Sequence, residues 1–122
     1  MRVRGIRGAI DVPENTREAV FEATIKLVQE MLSRNAVDTA EIASIFLTAT
    51  VDLNADFPAY AARQIGLSTV PLLCAQEIDV PGSMKRLIRV LIHVNTEKTQ
   101  SEIAHCYLGE TAKLRPDIGD RP

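Results

Sequence analysis

Tryptophan is absent, and the aromatic side chains are confined to Phe21, Phe46, Phe57, Tyr60 and Tyr107. That set is too sparse for a base-stacking platform. A net charge of -2 and a pI near 5.7 also deny the chain the basic stripe that collects phosphates, so no nucleic-acid partner is expected. Histidine is scarce as well: His93 and His105 have no metal-ligand spacing between them, and we assign no metal and no cofactor. Cys74 and Cys106 form neither a CxxC pair nor a disulfide framework, and in a reducing compartment both read as free thiols. No run approaches the roughly 18 apolar residues of a membrane-spanning helix, and the opening MRVRGIRGAID lacks a signal-peptide stretch. A cytoplasmic protein with no membrane partner is the expectation. There is no phosphate loop, GIRG being too short a fragment, and no pair of carboxylates set for glycoside hydrolysis.

What is there suits one folded domain. In 122 residues, 46% are hydrophobic and 25% charged, an ordinary balance for a globular chain with a single core. We read residues 1–115 as that domain and 116–122 as a flexible polar tail.

Hydrophobic periodicity divides the domain. Val3 to Ile10 reads as a first strand with close backbone approaches at Gly5 and Gly8. Arg17 to Arg34 reads as an amphipathic helix, capped by Asn15 or Thr16, with Val20, Ala23, Leu27 and Met31 facing inward. Asp38 to Glu41 has the form of a capping box and opens a single turn before a buried strand, Ile42 to Thr50. Asp56 is placed to cap a short helix from Pro58 to Ile65 that Gly66 ends. Val70 to Ile78 and Lys85 to Asn95 are the third and fourth strands, parted at Pro81-Gly82. Thr99 to Ile103 forms a turn, and Ala104 to Leu114 a last strand. The fold class is therefore α/β (α+β), a five-stranded mixed sheet packed on helices in two layers. One long helix and one short one cannot cover both faces, so the second face needs a partner subunit, and a symmetric ring follows.

Arg89 is the residue that least fits its surroundings. It interrupts Leu87-Ile88-Arg89-Val90-Leu91-Ile92, and charge covered by protein must be paired. Glu77 is a candidate partner, but Arg7, Arg63 and Arg115 also lie in or beside apolar segments, leaving positive charge for an anionic ligand. The chain holds 10 arginines against 4 lysines, and the planar guanidinium suits bidentate contact with carboxylates. Cys74, within an apolar strand, reads as a packing thiol and not a nucleophile. His93 shares a strand face with Arg89 and Leu91. Because Cys74 and Glu77 are three residues apart, regular strand parity sends them to opposite sides, so either only one faces the pocket or a bulge or the strand end reorients the other. Arg7, Glu77, Arg89, Tyr107 and Arg115 together suggest a site for a polyanionic small molecule that carries a hydroxyl group.

The opening RGIRGA, the segment LTATVDLNADFPAYAAR, the string VPLLCAQEIDVPGSMKRLIRVLIHV and the closing YLGETAKLRPD resemble the monofunctional, trimeric, Bacillus-type class of chorismate mutase. The likeness runs in order over about residues 2 to 117. It implies a homotrimeric pseudo-α/β-barrel with active sites at the subunit interfaces, acting on chorismate to give prephenate. It also implies roles for matching positions. Arg89 would donate to the ether oxygen of the breaking bond, and Glu77, with Cys74 nearby, would meet the ring hydroxyl. Arg7 and Tyr107 would hold the side-chain carboxylate, Phe57 and Arg63 would come from the neighbouring subunit, and Leu114 and Arg115 from a tail that orders over the ligand. Tyr60 departs from the pattern, standing where some relatives carry a lysine. Two alternatives are a trimer that binds a carboxylate metabolite without converting it and a trimer of the enamine or imine deaminase kind, although the signature strings of the latter are not found.

Overall fold

The computed structural model describes residues 1–114, so Arg115 and the tail 116–122 lie outside the described residues. Strands β1 (Arg2–Asp11), β2 (Ile42–Ala49), β3 (Leu72–Gln76), β4 (Leu87–Thr96) and β5 (Cys106–Tyr107) form one mixed sheet in the order β3-β2-β4-β1-β5. The outer pairs, β2 with β3 and β1 with β5, are parallel; β4 runs antiparallel to both of its neighbours. Helices α1 (Arg17–Arg34) and α2 (Pro58–Gln64) pack on one face of it. This is the two-layer, five-stranded arrangement expected.

Strand alternation makes the core. Ile6, Ile45, Leu47, Ile88 and Ile92 point toward the helices and have no exposed surface. Leu27, Val28 and Met31 of α1 meet them from above, also fully enclosed. Each such side chain stabilises the fold by about 1.5–3 kcal/mol. Gly8 is what lets α1 sit so low on β1: a Cβ there would stand 2.5 Å from the Met31 sulfur and 3.0 Å from Leu27 Cδ1. The close approach expected at Gly5 is not found; a Cβ there would make only ordinary contact with Leu91 at 3.6 Å.

Local chemistry sets the element boundaries. Thr16 caps α1 by accepting the Ala19 N–H at 3.2 Å. Asn15 instead ties α1 to the loop before α2, accepting N–H groups from Asn54 and Ala55. Asp38 accepts the Ala40 N–H and opens the turn Thr39–Glu41. Asp56 does not cap α2: Phe57 holds the cap position with no side-chain hydrogen bond. The Asp56 carboxylate sits one residue too early and is shared between the Phe57 N–H and Arg17. Proline at the first helical position starts α2 without a donor to satisfy, and Gly66, at φ +94, ends it.

Strands β3, β4 and β5 are shorter than the periodicity suggested, and β2 ends one residue early, at Ala49. Pro71 has no N–H to give β2, so β3 begins at Leu72; Val70 turns back onto the Leu67 carbonyl. Strand β4 begins at Leu87 because Arg86, at φ +50, is held in a turn by the Asp52 carboxylate on its N–H. The last strand is only Cys106–Tyr107, and Gly109–Leu114 is a 3-10 turn. Gly109 reverses the chain at φ +62, Asp11 accepts the Glu110 N–H, and the buried Thr111 hydroxyl donates to the Ala9 carbonyl. The turn at Thr99, by contrast, carries the full reciprocal capping box with Glu102.

Candidate active site

The sheet face away from the helices carries the polar residues. Across it, backbone register sets Ala75, Thr48, Arg89, Ala9 and Tyr107 in one row, one residue from each strand. The next row on the same face runs Leu73, Phe46, Leu91 and Arg7. Arg7 and Arg89 are therefore diagonal neighbours on adjacent strands.

On this face opens a cavity of about 460 Å³ lined by Arg7, Phe46, Thr48, Glu77, Arg89, Leu91, Tyr107 and Leu114. Its size suits a small ligand. Arg89 is not a buried charge, as its apolar neighbours suggested. Its side chain is 49% exposed and reaches into the cavity, because only the alternate residues Ile88 and Val90 face the helices. Glu77 approaches it loosely, with 3.8 Å between Arg89 Nε and Glu77 Oε2. That same carboxylate oxygen accepts a hydrogen bond from the Thr48 hydroxyl. Tyr107 is 8% exposed at the cavity wall, held there by the pairing of β5 with β1. The Arg7 backbone N–H donates to His105 Nδ1 at 3.0 Å, which fixes the histidine in a structural role.

Phe57, Arg63 and Cys74 lie elsewhere. Phe57 and Cys74 line a second recess, of about 450 Å³, between α2 and the end of β2. Cys74 registers with Leu47 on the helix side of the sheet, while Glu77 meets Thr48 on the open side. The parity rule therefore holds, and the two do not share a cavity in one copy of the chain. Burial pushes the Cys74 thiol pKa up, although a hydrogen bond from the Ala59 backbone and the Arg63 charge pull the other way. The net shift disfavours the thiolate, the form a nucleophilic cysteine needs. Phe57 is 59% exposed and packs edge-on against Tyr60 at 5.4 Å. The Arg63 guanidinium lies 5.2 Å from the Tyr60 ring centre. Tyr60 thus supplies a cation-π seat for Arg63, where a lysine would repel it.

Sequence reasoning missed Thr48, Phe46 and Leu91. All three lie on strands read as buried; the alternation Ser44, Phe46, Thr48 against Ile45 and Leu47 in β2 finds the first two, and Leu91 follows from the face it shares with Arg89 in β4. His93 does share the face of Arg89 and Leu91; it meets the Ser44 hydroxyl at 3.1 Å and the edge of Phe46. Cys74 and Cys106 are free thiols. Among the described residues, no three His, Cys, Asp or Glu side chains cluster as metal ligands would, and no helix is long and apolar enough to cross a membrane.

Comparison with known proteins gives a consistent result. The family model described as chorismate mutase type I matches residues 3–118. A chorismate mutase AroH from Thermus thermophilus is 51% identical over 117 residues, 95% of this chain and 96% of that protein. One from Bacillus subtilis is 40% identical over 119 residues, 97% of this chain and 94% of that protein. Among solved structures, a chorismate mutase from Clostridium thermocellum superposes with a TM-score of 0.86 at 46% identity, over 88% of this chain and 96% of that one. Neither the non-catalytic binding protein nor the deaminase finds support among these relatives.

Proposed function

The chain belongs to the chorismate mutase type I family, and on that premise we propose that it converts chorismate to prephenate, for aromatic amino acid biosynthesis, in the cavity around Arg89. The reaction is an intramolecular rearrangement: the ether C–O bond breaks as a C–C bond forms between the enolpyruvyl side chain and the ring. No atom enters or leaves. The protein has two tasks, holding the side chain folded over the ring and stabilising the negative charge that gathers on the ether oxygen.

Arg89 performs the second task, donating from its planar fork to the ether oxygen and a neighbouring carboxylate. A preorganised donor of this kind is worth roughly 3–4 kcal/mol in the transition state. Arg7 and Tyr107 hold the side-chain carboxylate, and Glu77 accepts from the ring hydroxyl. Leu114 lines the cavity and meets the ligand, and a substrate-binding role is assigned to Arg115, the last residue of the domain read as 1–115, which lies outside the described residues. The observation that carries this reading is the exposure of Arg89 into a cavity it shares with Arg7, Glu77 and Tyr107.

Phe57, Arg63 and Cys74 complete the site from a neighbouring copy in a homotrimer. Two facts support that division. The second recess is separate from the first within one chain, and the open sheet face exposes Leu73 and Phe46 at 57% and 39%. A head-to-tail contact that sets one recess against the other makes a ring when its rotation closes, and the ring proposed here has three copies. The trimer works in the cytoplasm, with no nucleic-acid or membrane partner. Purified protein mixed with chorismate should speed the loss of its ultraviolet absorbance; a rate equal to the uncatalysed one would overturn the proposal.

A further inference from the structure

Glu77 and Arg89 stand close enough to collapse onto each other, yet they do not. A glutamate beside an arginine in a half-open cavity ordinarily closes to a paired, hydrogen-bonded contact. Here the Arg89 Nε to Glu77 Oε2 distance is 3.8 Å, beyond hydrogen-bond range. What occupies Oε2 is the Thr48 hydroxyl. Among the described residues, no hydrogen bond uses Oε1, which is left for a ligand.

The backbone explains why Thr48 can do this. Thr48 is the direct cross-strand partner of Arg89 on one side and of Ala75 on the other. Past the end of β3, Glu77 remains tied to β2 by its N–H on the Ala49 carbonyl at 2.9 Å. Its side chain therefore emerges on the open face next to Thr48. Threonine is β-branched and stiff at χ1, so its hydroxyl is a fixed donor. We infer that Thr48 is a positioning residue that holds the Glu77 carboxylate off Arg89, keeping the guanidinium available to an anionic substrate in the free enzyme. The inference rests on the roles given above to Glu77 and Arg89.

Removing the hydroxyl lets the carboxylate settle on Arg89. Substrate must then displace an internal pair, which lowers the fraction of enzyme competent to bind and raises KM by its inverse. Once substrate is seated, both groups are back on it and turnover changes little.

The experiment compares steady-state chorismate turnover by Thr48→Val, Thr48→Ser, Glu77→Ala and Thr48→Val/Glu77→Ala, with thermal unfolding of each. Thr48→Val should raise KM about tenfold and leave kcat within about threefold, with an unfolding midpoint near that of the parent. Thr48→Ser should recover most of the loss. In the Glu77→Ala background there is no carboxylate to restrain, so adding Thr48→Val should change nothing further. A normal KM in Thr48→Val beside a damaged Glu77→Ala enzyme would overturn the inference and leave the role of Glu77 standing. An equal loss from Thr48→Val in both backgrounds would overturn it too, since Thr48 would then act without Glu77. A fully active Glu77→Ala enzyme would sink the role of Glu77 and the inference together.

Discussion

The covered face of the sheet and its open face are built from alternate residues of the same strands, yet they are filled by different rules. On the covered face, Ile6, Leu47, Ile88 and Ile92 are sealed by α1 and α2 with no surface left. On the open face, the intervening Arg7, Thr48, Arg89 and Leu91 line a cavity beside exposed Phe46 and Leu73. A shift of one residue along a strand separates a side chain that serves stability from one that serves binding. The chain has used period two to write both functions into a single sheet.

Three measurements test that division, beginning with the largest effect. Arg89→Ala removes the donor at the ether oxygen and should lower kcat by at least about 1,000-fold, while circular dichroism and assembly stay those of the parent. Near-normal turnover would erase the claim that the open face holds the chemistry. The second compares two neighbouring leucines. Leu47→Ala opens a hole under α2 and should cost about 2–5 kcal/mol in urea unfolding. Leu73→Ser, on the other face, should leave the secondary structure intact and weaken association in sedimentation velocity. If both variants lost secondary structure alike, the faces would not be separate.

The smallest effect lies at the rim, where Asp52 braces Arg86 ahead of β4. Slight burial pulls the Asp52 pKa up, but hydrogen bonds from the Thr50 side chain, its own backbone and the Arg86 N–H, with the Lys85 charge, outweigh it and hold the pKa below its usual value. A depressed carboxylate pKa adds stability that is complete above the unfolded value, near 3.9, and is lost as pH falls through the folded one. Asp52→Asn should therefore flatten that acid segment of the stability curve and leave neutral turnover unchanged. An acid limb as steep as the parent's would assign it to other carboxylates.

Much of this was legible in the chain. The bounds of α1 follow from its polar cap and apolar stripe, and regular parity pointed to the separation of Cys74 from Glu77, although the family resemblance had set the two together. The end of the domain was not legible: Ala104 to Leu114 has strand-like residues, but Gly109 and the buried Thr111 hydroxyl turn it into a 3-10 segment. The Asp56 cap failed because α2 starts one residue too late for it, its N-cap being Phe57; the Arg17 partner of its second oxygen, 39 positions away, is a tertiary contact that no local pattern contains. Arg89, Glu77, Arg7 and Tyr107 were each visible as polar residues in apolar settings. Thr48 was not, because a threonine in a strand is unremarkable until register sets it between an acid and a base.

The placement of β1 also governs how the molecule is made. Its first hydrogen-bonded partner, β4, spans Leu87–Thr96, and its second, β5, is Cys106–Tyr107. During synthesis β1 leaves the ribosome well before either of these partners, and its place in the sheet waits on them. The α1 helix can form early, but the sheet closes only when β4 enters between β2 and β1. Such long-range pairing belongs with slow folding, on the millisecond-to-second scale. A nascent chain halted before β4 would show its apolar strands to whatever surrounds it.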